Sequence, residues 1–255
     1  MRGLTAAELL AAWEQGIGHP PFRRALILLA AAQPDCSIEQ LARLSIGQRD
    51  ARLLALREQT FGSRLVSVAT CEACGEQLEL TFDADEIRAA PVDQLTLRSP
   101  ADEAAEPQCL SLNLNGYDIS FRLPASIDLE AIAEVGEPAA SPRVLLQRCI
   151  QSATFDGTAV SVSDLPADLL AVVAARMEEA DPQANVQLNL TCAPCGKPWQ
   201  AVFDIEAFLW AEITRWAERL LLDVHQLARA YGWREADILA MSPHRRRFYL
   251  DLLSR

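Results

Sequence analysis

Thr70-Cys71-Glu72-Ala73-Cys74-Gly75 and Thr191-Cys192-Ala193-Pro194-Cys195-Gly196 are two copies of one pattern, each followed at the same distance by a Phe-Asp pair, Phe82-Asp83 and Phe203-Asp204. Matching residues stand a constant 121 positions apart. Apolar residues alternate around both copies: Val66, Val68, Leu78 and Leu80 flank the first, and Val186, Leu188, Leu190, Trp199 and Val202 flank the second. Alternation on both sides of a tight turn marks a β-hairpin. The chain therefore carries a duplicated hairpin, and each copy presents two thiols at its turn.

Two residues between cysteines let both sulfurs face one ion, and two such turns supply the four thiolates of a closed tetrahedral zinc site. Gly75 and Gly196 follow the second cysteine of each copy, where a positive φ aims backbone N–H groups at charged sulfur. Cys71, Cys74, Cys192 and Cys195 are thus the expected ligands of a structural Zn2+. A closed four-thiolate site has no position for water and activates no nucleophile. The two pairs are separated by 117 residues, against about 15 to 20 in an undivided zinc ribbon. The ribbon must therefore be split by an insertion, at modest entropic cost because loop closure grows only logarithmically with length. Three other uses of these thiols stand beside zinc: an iron or iron–sulfur centre on the same four residues, two unmetallated turns, or a redox pair, which would open a helix rather than a strand.

Working outward, residues 5 to 60 read as helices: Ala6 to Glu14, Pro21 to Ala32, a segment opened by the Ser37/Gln40 capping box, and Leu44 to Glu58, ending before Gly62. Beyond the first hairpin come a short helix within Asp83 to Ala89 and a solvated loop from Leu97 to Pro107. Leu110 to Leu114 and Tyr117 to Phe121 alternate around Asn115-Gly116, a type I′ turn signal that predicts a second two-stranded ribbon. Helices are expected at Leu129 to Val135, Pro142 to Ser152 and Pro166 to Ala180, with a short strand containing Val160 between the last two. From Asp204, a good N-cap, the stripe Ile205, Leu209, Ile213, Trp216, Leu220, Val224 and Leu227 predicts one long helix to Ala230. Short helices follow at Trp233 to Met241 and from Pro243 onward. The expected fold class is α+β: helical regions 1–62 and 204–255 joined by ribbon hairpins 63–83 and 185–203, with 84–184 an inserted α+β subdomain.

A chain of 255 residues with 50% hydrophobic and 23% charged residues is globular in composition. Its net charge of -12 repels nucleic-acid phosphates and anionic lipid, so a nucleic-acid role would need a local basic patch. The amino end lacks the features of an export signal and Ala25 to Ala32 is too short to cross a bilayer. Seven cysteines, four of them in Cys-x-x-Cys pairs, suit a reducing compartment. A cytoplasmic protein is expected.

No Gly-x-Ser-x-Gly, phosphate-cradling loop or paired-His motif occurs, and no enzyme is expected. Of the three histidines, His19 sits in a turn, His225 reads as a partly buried helix-packing residue, and His244 opens the basic cluster Arg245-Arg246-Arg247. That cluster is the sole support for the alternative function, a zinc-ribbon nucleic-acid-binding or transcription-associated protein. Arginines joined with Arg215, Arg219 and Arg229 into a continuous stripe would favour it; dispersed arginines would not. Trp210, Trp216 and Trp233 read as core or interface anchors.

Leu44-Ser45-Ile46-Gly47-Gln48-Arg49-Asp50, with Leu53-Leu54 and Leu56-Arg57-Glu58 leading to the first cysteine pair, resembles the amino part of small baseplate-associated proteins encoded among phage-tail-like contractile injection genes. Phe208-Leu209-Trp210, Asp223 to Ala228, Tyr231-Gly232-Trp233, Ile238-Leu239 and Arg245 to Leu250 resemble the carboxyl part of the T-even phage baseplate hub assembly family. The resemblance implies a cytoplasmic assembly factor or minor component of a contractile-tail baseplate, with baseplate or hub proteins as partners. It carries no catalytic residue to this chain.

Overall fold

The computed structural model describes residues 2–89, 109–134 and 142–253. The loop read from Leu97 to Pro107 lies outside them. Helices α1 (Ala6–Gly16), α2 (Pro21–Ala32), α3 (Ile38–Ala42) and α4 (Ile46–Phe61) open the chain. Three begin with capping boxes, Thr5/Glu8, Ser37/Gln40 and Ser45/Gln48, which satisfy two otherwise orphaned N–H groups each. Pro21 starts α2, where its missing N–H costs nothing.

Strands β1 (Arg64–Thr70) and β2 (Gln77–Asp83) form the first hairpin, and a 3-10 turn, Ala84–Ile87, follows. Next come β3 (Cys109–Leu114), β4 (Tyr117–Arg122), α5 (Ser126–Glu134), α6 (Pro142–Cys149), β5 (Ile150–Phe155), β6 (Thr158–Ala159) and α7 (Ala167–Ala180). Strands β7 (Gln187–Thr191) and β8 (Pro198–Val202) make the second hairpin, before α8 (Ile205–Tyr231), α9 (Glu235–Leu239) and α10 (Pro243–Leu253). The fold is α+β with small antiparallel sheets ordered β1-β2, β3-β4-β5-β6 and β7-β8.

Several expectations are corrected. The helix read from Pro142 to Ser152 ends at Cys149, and Ile150 begins a strand whose Phe121↔Ile150 and Ile119↔Ala153 pairs join β4. Nothing in Ile150-Gln151-Ser152 breaks a helix locally; burial of Ile150 beside Phe121 decides the matter. The Asn115-Gly116 ribbon is consequently one half of a four-stranded sheet. Val160 lies just past β6, its N–H donating to Ala153 O at 3.0 Å. Val66 and Val68 face solvent, while Leu65, with Leu78, Leu80 and Phe82, occupies the inward face of the first hairpin.

Three apolar clusters form the core. The first gathers α1 to α4 with Leu65, Ala84, Ile87, Ile205, Leu209 and Ile213. A second holds Ile119, Phe121, Ile150 and Ala153 against Leu169, Leu170, Val173 and Met177 of α7. The third packs Leu220, Val224 and Leu227 of α8 against Leu10, Ile238 and Leu250. Ala84 and Ile205, like Ile87 and Phe208, are also 121 positions apart, and all four pack into the first cluster. Inward-facing positions therefore still match for one turn past the two hairpins.

The segment Leu44 to Asp50 joins the amino-terminal helices to the middle of the chain. Ile46 N–H donates to Pro124 O at 2.9 Å, Arg49 reaches Ser126 Oγ at 3.3 Å, and Gly47 N–H donates to Asp181 Oδ2 at 2.9 Å. A side chain at Gly47 would place Cβ 1.9 Å from Asp181 Oδ1, so only glycine admits this approach. Arg57 forks both ways onto Glu212 at 2.9 Å, tying α4 to α8.

Candidate metal centre

The two hairpin turns are built alike. Cys71 N–H donates to Glu76 O at 2.8 Å and Gly75 N–H to Cys71 O at 2.8 Å; Cys192 N–H donates to Lys197 O at 3.0 Å and Gly196 N–H to Cys192 O at 2.8 Å. Gly75 and Gly196 take φ of 76° and 71°, the left-handed conformation that closes each turn over its sulfurs.

The turns meet. The ligand atoms of Cys71, Cys74, Cys192 and Cys195 all lie within 4.8 Å of one another, across a sequence gap that no local structure bridges. Cys71 Sγ is 3.8 Å from Cys195 Sγ, and Cys74 Sγ is 3.5 Å from Cys192 Sγ. Sulfurs placed tetrahedrally about 2.3 Å from a zinc ion would stand about 3.8 Å apart. The donor set and its spacing fit a four-coordinate metal. One sulfur of each pair, Cys71 and Cys192, is buried, whereas Cys74 and Cys195 are exposed.

Four thiols this close cannot all ionise without a cation. Burial raises the Cys71 thiol, but N–H groups of Ala73 and Cys74 and the neighbouring thiols outweigh it and bring it down to about 7. At Cys192 the Cys195 N–H favours the thiolate, yet burial and the three surrounding thiols push it up to about 12. Cys74, despite a favourable Glu76 N–H and the Cys192 thiol, is raised by burial and by the Cys195 and Cys71 thiols. A divalent ion would invert this order by stabilising every thiolate at once.

The three remaining cysteines stay outside the cluster. Cys149 is pushed up to about 12 by burial and by Asp128, and Cys109 contacts Ser120 Oγ at 3.1 Å. His19, His225 and His244 are all exposed, which corrects the reading of His225 as a packed residue; α8 turns Val224 and Leu227 inward instead. The basic cluster disperses. Arg246 is buried with Nη1 donating to Met241 O, Arg247 pairs with Asp251 at 3.0 Å, and Arg245 lies over the Tyr249 ring. Asp223 lies within electrostatic reach of Arg246, Arg247 and Arg219. Trp210 packs against Gly16 and beneath Arg24, Trp216 is half-buried between two clusters, and Trp233 stacks on Tyr231.

Glu206 went unnoticed in the sequence. It is buried at the start of α8 with Oε1 unpartnered, and burial, then the Asp204 charge, raises it to about 7 against Arg49 and Arg24. No signal in the sequence distinguishes it from an exposed first-turn acid.

The fold and site define an α+β protein organised around four convergent sulfurs. The chain belongs to the T4 bacteriophage base plate protein family, whose model matches residues 30–210. That match includes the Leu44 to Glu58 segment, both cysteine pairs and everything between them, and stops within α8. The match thus contains the amino-part segment that carries the resemblance and reaches Phe208-Leu209-Trp210 of the carboxyl part, while the stretches after 210 lie outside it. No curated protein and no solved structure matches significantly.

Proposed function

We propose that this chain is a non-catalytic assembly factor or minor structural component of a phage or contractile-injection baseplate, acting through contacts with baseplate or hub proteins. The family match across 30–210 carries the reading. In it, Zn2+ on Cys71, Cys74, Cys192 and Cys195 staples a split ribbon and closes 84–184 as an inserted subdomain; sulfur separations near the tetrahedral value and the separate core around Phe121 support this. The metal would supply folding energy rather than chemistry, since no coordination position is left for substrate. The protein would be made in the cytoplasm and act there or in the particle. Among the described residues no helix is long and apolar enough to cross a membrane. Burial of Arg246 and the acidic residues among the other arginines weigh against nucleic acid.

Deleting the gene and imaging the resulting particles tests the role. Sheaths or tubes without complete baseplates are expected; intact, contractile particles would overturn it. Mass spectrometry of the native protein should find one zinc per chain, with iron or no metal refuting the staple as written.

A further inference from the structure

The last helix is apolar on two sides. Arg246 and Leu250 turn inward, Leu250 against the third core cluster. On the opposite side Arg245, Phe248 and Leu252 follow at intervals of three and four, the stripe of a helix made to be covered, with half-buried Tyr249 at its margin where it packs on the third cluster. Phe248 is nevertheless 57% exposed and Leu252 42%. The apolar surface continues off the helix through touching rings: Phe248 to Tyr249 at 5.8 Å, Tyr249 to Trp233 at 4.9 Å, Trp233 to Tyr231 at 4.5 Å. Isolated exposed apolar side chains are ordinary on a soluble protein; a contiguous aromatic patch marks a contact.

Charge selects the occupant. From Arg229 to Leu253 the exposed charges are Arg229, Arg234, Arg245 and Arg247 against Glu235, Asp237 and Asp251, a slightly basic end on a chain of net charge -12. A symmetric contact between two copies would set these arginines against each other, which costs affinity. A flat anionic membrane would meet the acidic body of the chain as well as this end. A narrow acidic ridge meets the basic end alone, within a screening length of about 8 Å.

We infer that Arg245, Phe248, Tyr249 and Leu252, with Trp233 and Tyr231, form the docking face for an acidic, apolar-studded segment of another baseplate protein. The rings take its apolar anchors. Arg245 and Arg247 hold its carboxylates, Arg247 by exchanging its exposed partner Asp251. This rests on the baseplate reading.

The test uses particles and assembly intermediates purified from producing cells. Amide exchange of 243–253 should slow at least about tenfold relative to the free chain, as for a helix sealed by a partner. In an Arg245→Lys chain, a zero-length carbodiimide should join that position to an Asp or Glu of a different baseplate protein. Phe248→Ser with Leu252→Ser, both at exposed positions, should leave melting unchanged and lower incorporation at least about tenfold. Unchanged exchange in a chain that is present, normal incorporation of the double variant, cross-links only to a second copy, or protection produced only by phosphatidylglycerol vesicles would each overturn the inference alone. Absence of the chain from both particles and intermediates would overturn the baseplate reading and this face with it.

Discussion

The two cysteine hairpins share a register residue for residue: Val66↔Thr81 becomes Gln187↔Val202, and Thr70↔Gln77 becomes Thr191↔Pro198, each shifted by 121. They part after Phe-Asp. Asp83 makes no cap bond, and the turn it precedes ends at Ile87, because Arg88 swings to Glu58 at 2.6 Å and Ala89 N–H is taken by Gln183 Oε1 at 2.7 Å. Asp204 caps Ala207 N–H at 3.0 Å, and the apolar stripe behind it sustains 27 residues of helix. Turn geometry is thus written in the repeated residues. What each hairpin launches depends on which tertiary partners claim the backbone next.

If the copies are halves of one centre, Cys71→Ser and Cys192→Ser should have equal and non-additive effects. Each alone should release the metal and lower the melting temperature by more than about 10 °C, with the double variant no worse than either. Additive losses in calorimetry would make them two independent turns. Phe203 touches both Phe82 and Phe208 at 5.4 Å, whereas among the described residues Phe82 makes its ring contact with Phe203 alone. Phe203→Ala should therefore cost about 3–4 kcal/mol and Phe82→Ala about 1 kcal/mol less in urea unfolding; equal losses would deny the second hairpin its deeper anchorage.

Positions 85 and 206 separate the copies electrostatically: Asp85 is exposed, Glu206 buried. Glu206 holds its proton up to about 7 when folded, against about 4.3 in an unfolded chain. Its contribution to stability is therefore fully present below the unfolded value and is lost as pH rises from there through 7. Glu206→Gln should remove that slope and gain on the order of 2 kcal/mol at pH 8, while Asp85→Asn changes little. A slope that persists in Glu206→Gln would assign it to Asp50 or Asp181, which burial also raises. The smallest contrast is in capping: Asp204→Ala should cost about 1 kcal/mol and Asp83→Ala under about 0.5 kcal/mol.

Much of this was legible in advance, wherever local chemistry decides the outcome. The Ser37/Gln40 capping box, Asn115-Gly116, the bounds of α2 and the span of α8 within a residue follow from their own side chains. The convergence of Cys71, Cys74, Cys192 and Cys195 was legible through the repeat itself. Illegible were features set by distant neighbours. Ile150 to Ser152 reads as the end of a helix until β4 lies beside it. Val66 and Val68 look like core because β-branched residues suit either sheet face, while Leu65, one position earlier, holds the buried place. Arginine side chains such as Arg246 give no sign in sequence that their heads will be enclosed.

The meeting of residues 71 and 74 with 192 and 195 also sets how the chain bears a load. With a metal bound there, tension drawn between the two ends would cross at the sulfurs and at the Arg57–Glu212 fork, bypassing the stretch between the hairpins. That stretch would stay slack under pull, keeping the shape its own core gives it while the outer helices carry the strain.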